Sequence, residues 1–293
     1  MSEESEVLEL AEEEEDNIIK EYATRNKVFL LSCIAPFKPL RVSPASVVYA
    51  ELSPPEEFAI ESFINKVKET GIPKDNRTLE LLLHSYGGGV DSAYMIAKVL
   101  RNNFSKIRVY IPHIAASGAT LIAISADEIV MGEISRLSPI DVIQTTQNGE
   151  RISLLAYLRG FLKLNDMFKT TRKEDIPYPY LSLIEDASLS TFEEFSGVLS
   201  QVEGYAIELM NKAGYTDEEA ERISERLVYG PLTHNEVIDF EKAKEIGLKV
   251  KFYEEFKESW SIMRRWLSKY ILKESGIHHI KCVIPEVKKN EIK

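Results

Sequence analysis

The chain has 293 residues, 44% of them hydrophobic, and a net charge of −11 at neutral pH. Such a composition suits one large packed α/β domain, with or without a helical extension, and excludes a disordered chain. The charge sits at one end: residues 1–16 carry nine carboxylates and no lysine or arginine, leaving the rest close to neutral.

This acidic start reads as a solvated tail, or as an arm for a partner. Asn17–Arg25 looks like the end of a short helix. Val28–Ala35 and Ser46–Leu52 read as strands, separated by a loop holding Pro36, Pro39 and Pro44. Ser53-Pro54-Pro55-Glu56-Glu57 is a helix start, with a capping serine, prolines suited to the first turn and carboxylates at the positive end. That helix runs to about Thr70, where Gly71-Ile72-Pro73 stops it. Strand Leu79–His84, helix Val90–Asn103, strand Ile107–Pro112, helix Ser117–Ser125 and strand Glu128–Met131 follow. Their alternation predicts β-α units on a largely parallel sheet. Glu150–Phe168 is predicted helical and Thr170–Pro179 a flexible polar segment. Ser188–Lys212 and Thr216–Arg226 are helical, Asp239–Gly247 is a short helix before a Lys249–Phe252 strand, and Phe256–Leu272 is a C-terminal helix. The expected organisation is a tail over 1–16, a main domain over 17–252 and a helical extension over 253–293.

Cys33 and Cys282 form no spaced motif, and Cys33, in an apolar strand-like run, is expected to be a buried reduced thiol. The apolar runs, such as Val28–Leu31, are too short to span a bilayer. The acidic N-terminus is unlike a signal peptide, which points to a cytoplasmic protein. No basic stripe with interleaved aromatics suggests nucleic acid.

Two strand-to-helix turns carry the chemistry. In the first, Leu79–His84 breaks into Gly87-Gly88-Gly89 before a helix. Bare N–H groups at a helix start suit a developing negative charge, and removing one such donor typically costs about 3–4 kcal/mol of transition-state stabilisation. No Gly-Lys-Ser/Thr follows, so a phosphate-binding P-loop is excluded, and dinucleotide spacing is absent. In the second, Ser117 stands among Ala115, Ala116, Gly118 and Ala119. There it can serve as an exposed nucleophile or as a helix cap, although the Gly-x-Ser-x-Gly pattern is missing. The N–H of Gly118 would be a second oxyanion donor beside the glycine turn.

The blocks His84-Ser85-Tyr86-Gly87-Gly88-Gly89-Val90-Asp91, Ile114-Ala115-Ala116-Ser117-Gly118-Ala119, Ser125–Gly132 and Leu137-Ser138-Pro139-Ile140-Asp141 resemble the serine dehydrogenase proteinase family. That family lies in the wider Clp protease/crotonase superfamily and is related to signal peptide peptidase A. The resemblance covers residues 45–145, with a weaker match near 230–250 in Thr233-His234 and Ala243–Leu248. It implies a spiral of β-β-α units with a helical C-terminal extension, Ser117 as nucleophile, Gly88 and Gly118 as oxyanion donors, and a homo-oligomer. It implies an ATP-independent serine peptidase that acts on peptides or unfolded protein, and neither cofactor nor metal is expected.

The sequence departs from the pattern in two places. Clp-type subunits carry their histidine in the region matching Arg136–Asp141, which here has none, and Tyr86 stands where relatives usually have proline. Relatives of the signal peptide peptidase A type use a lysine. Lys169 is the corresponding candidate base, with Lys163 and Lys173 as rivals, and His234 is the alternative. Against each lysine stands the default of a solvated surface group in a charged stretch, and against His234 that of a structural histidine bonding the turn backbone. His113 could approach Ser117, His84 could shape the glycine turn, and Asp141 or Asp127 could orient a base. His278 and His279 read as peripheral. Two other functions remain open: an inactive oligomeric scaffold, and a crotonase-like enzyme handling acyl-CoA thioesters with the same oxyanion hole.

Overall fold

The computed structural model describes residues 16–43, 46–145, 151–186, 188–230, 233 and 236–286. Most of the acidic tail therefore lies outside the described residues; Asp16 is inside, paired with Lys269 at 2.9 Å.

Helix α1 (residues 16–26) leads into β1 (Phe29–Ile34), the exposed pair β2 (Leu40–Ser43) and β3 (Ser46–Val48), helix α2 (Pro54–Glu69) and β4 (Thr78–His84). Next come α3 (Val90–Asn103), β5 (Lys106–Ile111), β6 (Ile114–Ala115), α4 (Gly118–Ile124), β7 (Glu128–Met131), β8 (Arg136–Leu137), β9 (Ile143–Thr145) and β10 (Arg151–Ser153). The later part holds α5 (Leu154–Phe168), α6 (Tyr178–Asp186), α7 (Leu189–Lys212), α8 (Asp217–Val228), α9 (Phe240–Ile246), β11 (Val250–Phe252), α10 (Lys257–Ile271) and β12 (His279–Val283).

The central sheet has the order β11-β7-β5-β4-β1-β12. All neighbours are parallel except β12, which runs antiparallel to β1. Because helices cover both faces, the strands read as nearly continuous apolar runs, yet the period of two survives within them. Phe29, Leu31, Leu79, Leu81, Leu83, Val109 and Ile129 pack on α2, α3 and α4. Leu30, Leu82, Tyr110 and Val130 pack on α1 and α10. Burying a leucine such as Leu81 or Leu83 contributes roughly 1.5–3 kcal/mol. On the second face the buried Glu80 is matched by Tyr22 at 2.8 Å, Arg108 at 2.8 Å and Tyr110 at 3.0 Å, as a buried carboxylate must be.

Short strands after the long ones build a second layer: Ser85 bridges Ala115, β6 pairs β8, and Leu137 bridges Ile238. This is the α/β spiral of β-β-α units, and it sets the ends of β4 and β5 side by side. Several segments differ from the sequence-based expectation: Arg151–Ser153, expected as helix, is strand β10, and Leu40–Ser43, expected as loop, is strand β2. Ser46–Leu52 is a strand only to Val48, with Leu52 bridging Gly88 alone. Thr170–Pro179 contains a 3-10 turn at Lys173–Asp175 and the first residues of α6. Among the described residues the expected extension over 253–293 is not all helix, since β12 returns after α10 to close the edge of the main sheet.

Candidate active site

The two turns meet. A Cβ placed on Gly87 would lie 2.9 Å from Ser117 Cβ and 3.2 Å from Gly118 N, and one placed on Gly118 would lie 3.4 Å from Gly88 O. Gly88 has φ 144° and is so close to Leu52 that a Cβ would stand 2.1 Å from Leu52 N. Leu52 N–H donates to Gly87 O and Gly89 N–H donates to Leu52 O, both at 2.8 Å, so the loop before α2 clamps the glycine turn. The N–H groups of Gly88 and Gly118 donate to no acceptor among the described residues.

Ser117 has φ 52° and ψ −119°. An L-residue held there stores roughly 1–3 kcal/mol, as serine nucleophiles on sharp strand-to-helix turns do. Its N–H donates to Ser138 Oγ at 2.8 Å. Thr120 Oγ1 ties Ala115 O at 2.9 Å and Ser138 O at 2.8 Å on the far side of the turn. The Ser117 side chain is half-buried, and its hydroxyl bonds no described residue.

The candidate bases do not gather round it. Lys169 caps the end of α5, largely exposed, with its ammonium 2.6 Å from Asp166. It borders a hollow of about 180 Å³ lined by Phe161, Leu164, Phe168, Ile176 and Ile184. Lys163 and Lys173 are exposed as well, and no contact joins any of the three to Ser117 among the described residues. His234 lies outside the described residues. Asp127 is engaged elsewhere, paired with Arg101 at 2.6 Å and accepting Ile107 N–H at 2.6 Å. Asp141 is buried.

His113 turns to His84 instead of Ser117. Arg136 is 3.3 Å from His113 Nε2, His113 Nδ1 is 3.2 Å from His84 Nε2, and His84 Nδ1 is 2.7 Å from Ala35 O. The carbonyl can only accept, so His84 donates to it and the remaining tautomers follow in order. Burial pushes His84 down to about 4 against the pull of the Ala35 bond. Burial, then the nearby Arg136 charge, holds His113 below the usual imidazole range.

A correction concerns His278, whose sequence reading was peripheral. Its side chain is fully inaccessible, 2.8 Å from Ser85 Oγ through Nε2 and 3.2 Å from Glu56 Oε1 through Nδ1. Burial alone would raise Glu56, but hydrogen bonds from His278 and Ser53 outweigh it and hold the carboxyl below its ordinary range. Nothing in the local sequence signals this group. Among the described residues no cluster suits a metal ion, and no helix is long and apolar enough to cross a membrane.

Residues 60–163 match the model of the ClpP-like SDH-type serine proteinase family. This is the family to which the motifs point. The matched segment contains both turns, Ser85, Ser117 and Ser138, and excludes Lys169 and His234. Two uncharacterized proteins of Methanocaldococcus jannaschii are similar to the chain. MJ0137 is 33% identical over 178 residues, covering 61% of this chain and 54% of that protein. MJ1495 is 30% identical over 193 residues, covering 66% and 59%. The chain thus spans less than two thirds of the length of either relative. Among solved structures, a variant of the 1510-N membrane-bound stomatin-specific protease aligns with a TM-score of 0.45 at 15% identity, covering 73% of this chain and 80% of that one.

Proposed function

We propose that the protein is an ATP-independent serine peptidase acting on peptides or unfolded chains through an acyl-enzyme at Ser117. The observation that carries this reading is a strained serine set against a glycine turn whose Gly88 N–H, like that of Gly118, is free of protein acceptors among the described residues. Ser117 Oγ attacks the scissile carbonyl, forming the C–O bond of a tetrahedral intermediate. Its oxyanion takes hydrogen bonds from the Gly88 and Gly118 N–H groups. A base takes the hydroxyl proton and returns it to the leaving amine as the C–N bond breaks; water then hydrolyses the ester.

The base is Lys169 or His234. Lys169 reaches the serine only if the arm following α5 folds over the turn, releasing Asp166.

Labelling with a fluorophosphonate, read by intact mass, tests the reading. Wild type should gain one adduct, and Ser117→Ala none. Lys169→Ala and His234→Ala then identify the base, the true one slowing labelling by roughly 100-fold or more. Absence of any adduct on folded wild-type protein would overturn the peptidase reading in favour of the scaffold.

A further inference from the structure

Joined to the glycine turn through Ser85 is a relay that the proposed chemistry does not use. Gly87 N–H donates to Ser85 Oγ at 3.1 Å, and Ser85 Oγ is 2.8 Å from His278 Nε2. His278 Nδ1 and the His278 backbone N–H each lie 3.2 Å from Glu56 Oε1. Ser53 closes the chain, its N–H and hydroxyl donating to Glu56 Oε2 at 3.1 and 2.6 Å. Since the carboxylate only accepts, His278 Nδ1 is a donor, and in that tautomer Nε2 accepts the Ser85 hydroxyl proton. The hydroxyl oxygen is then left to accept Gly87 N–H.

The order of groups is serine, histidine, carboxylate, yet Ser85, His278 and Glu56 are all buried, at 0%, 4% and 2% exposure. No substrate reaches that serine, so the relay is not a second hydrolytic site. Its reach is toward the first one. Ser85 touches both turns: its hydroxyl takes Gly87 N–H, and its carbonyl takes Ala116 N–H at 3.0 Å, one residue before Ser117. A buried carboxylate and imidazole are a costly way to fill space that apolar side chains would fill at less expense. A saturated polar network does what apolar packing cannot, which is to fix direction.

We propose that His278 is a positioning residue for the oxyanion hole: held by Glu56 of α2, it orients the Ser85 hydroxyl to fix Gly87 N–H and so aims the next amide, that of Gly88, at the reacting carbonyl. The role rests on the peptidase reading for its chemical consequence. The segment before β12, 193 residues beyond Ser85, thereby becomes part of the catalytic apparatus although it touches no reacting atom.

Two conservative variants of the full chain test this. Ser85→Ala removes one hydroxyl, and His278→Asn keeps a donor for Glu56 but cannot reach Ser85. Two quantities are read: exchange of the Gly87 amide with deuterated solvent, and fluorophosphonate labelling of Ser117 resolved into its maximal rate and its half-saturating concentration. Each variant should speed Gly87 exchange about tenfold. Each should slow the maximal labelling rate by about tenfold or more, with the half-saturating concentration within threefold of wild type. The double variant should be no worse than either single one. Gly87 exchange and labelling rate both within twofold of wild type would overturn the proposal, even if thermal stability fell. Should wild type not label at all, the peptidase reading fails by itself, and Gly87 exchange alone then decides whether the relay sets the turn.

Discussion

Glycines in two parts of this protein do opposite things. At the ends of β4 and β5 they are jammed: Gly87 against Ser117 and Ala116, Gly88 against Leu52, Gly118 against Ala93. In the helices of the later half, Gly160 in α5 and Gly197 and Gly204 in α7 meet nothing within 4 Å where a Cβ would go. The same residue type marks close approach of two backbones in one place and an unfilled surface in the other. Burial and φ, not composition, tell them apart.

The sharpest way to break this contrast is Gly88→Ala. With φ at 144° and a Cβ 2.1 Å from Leu52 N, the backbone itself must move. A loss of about 3 kcal/mol or more is expected, read as the shift of a chemical denaturation midpoint, together with loss of Ser117 labelling.

Acid should expose the same region next. His84 titrates at about 4 in the fold against 6.5 unfolded. Between those values the unfolded chain binds a proton that the folded chain refuses. Stability from this group is therefore complete above pH 6.5, falls as pH drops, and is lost below about 4, amounting to about 3 kcal/mol. Glu56, held below its ordinary range, weakens the fold further at the acid end. Denaturation curves across this range should flatten in His84→Gln; a slope unchanged from wild type would assign the acid sensitivity elsewhere.

Ser117→Gly sharpens the contrast from the other direction. Glycine accepts φ 52° without the strain that serine bears there, so the variant should gain about 1 kcal/mol while losing all labelling. A destabilised variant would mean that contacts of the side chain outweigh the strain. The smallest effects belong to the helical glycines. Gly160→Ala, Gly197→Ala and Gly204→Ala should each stabilise by about 0.5–1 kcal/mol, readable as additive rises in melting temperature with unchanged labelling.

Much of the architecture was legible in the sequence because it depends on local rules. The apolar runs at Val28–Ala35, Leu79–His84 and Ile107–Pro112 lie close to β1, β4 and β5. Gly71 and Gly247 take the left-handed conformations, φ 70° and 104°, that ended the predicted helices there. Strand β12 was missed because none of its five residues is fully buried, four being half-buried and Lys281 exposed, and so short a half-buried run does not separate a strand from a loop. Helix α6 was hidden by Pro177 and Pro179, which also suit a loop.

The sequence by itself determined the residue types of the site: three glycines after one strand, and a serine among small residues after the next. Spacing along the chain could mark them as turns, since glycine and alanine report locally on what the backbone needs. Only the tertiary structure decided that the turns touch, that Ser117 is strained, and that Lys169 lies out on the surface with Asp166. The place of His278 was decided in the same way. Its ring lies between Ser85 and Glu56 because β12 pairs with β1, a contact between opposite ends of the chain. Sequence patterns record what each residue needs from its neighbours along the backbone. A hydrogen bond between residues 193 positions apart leaves no such record.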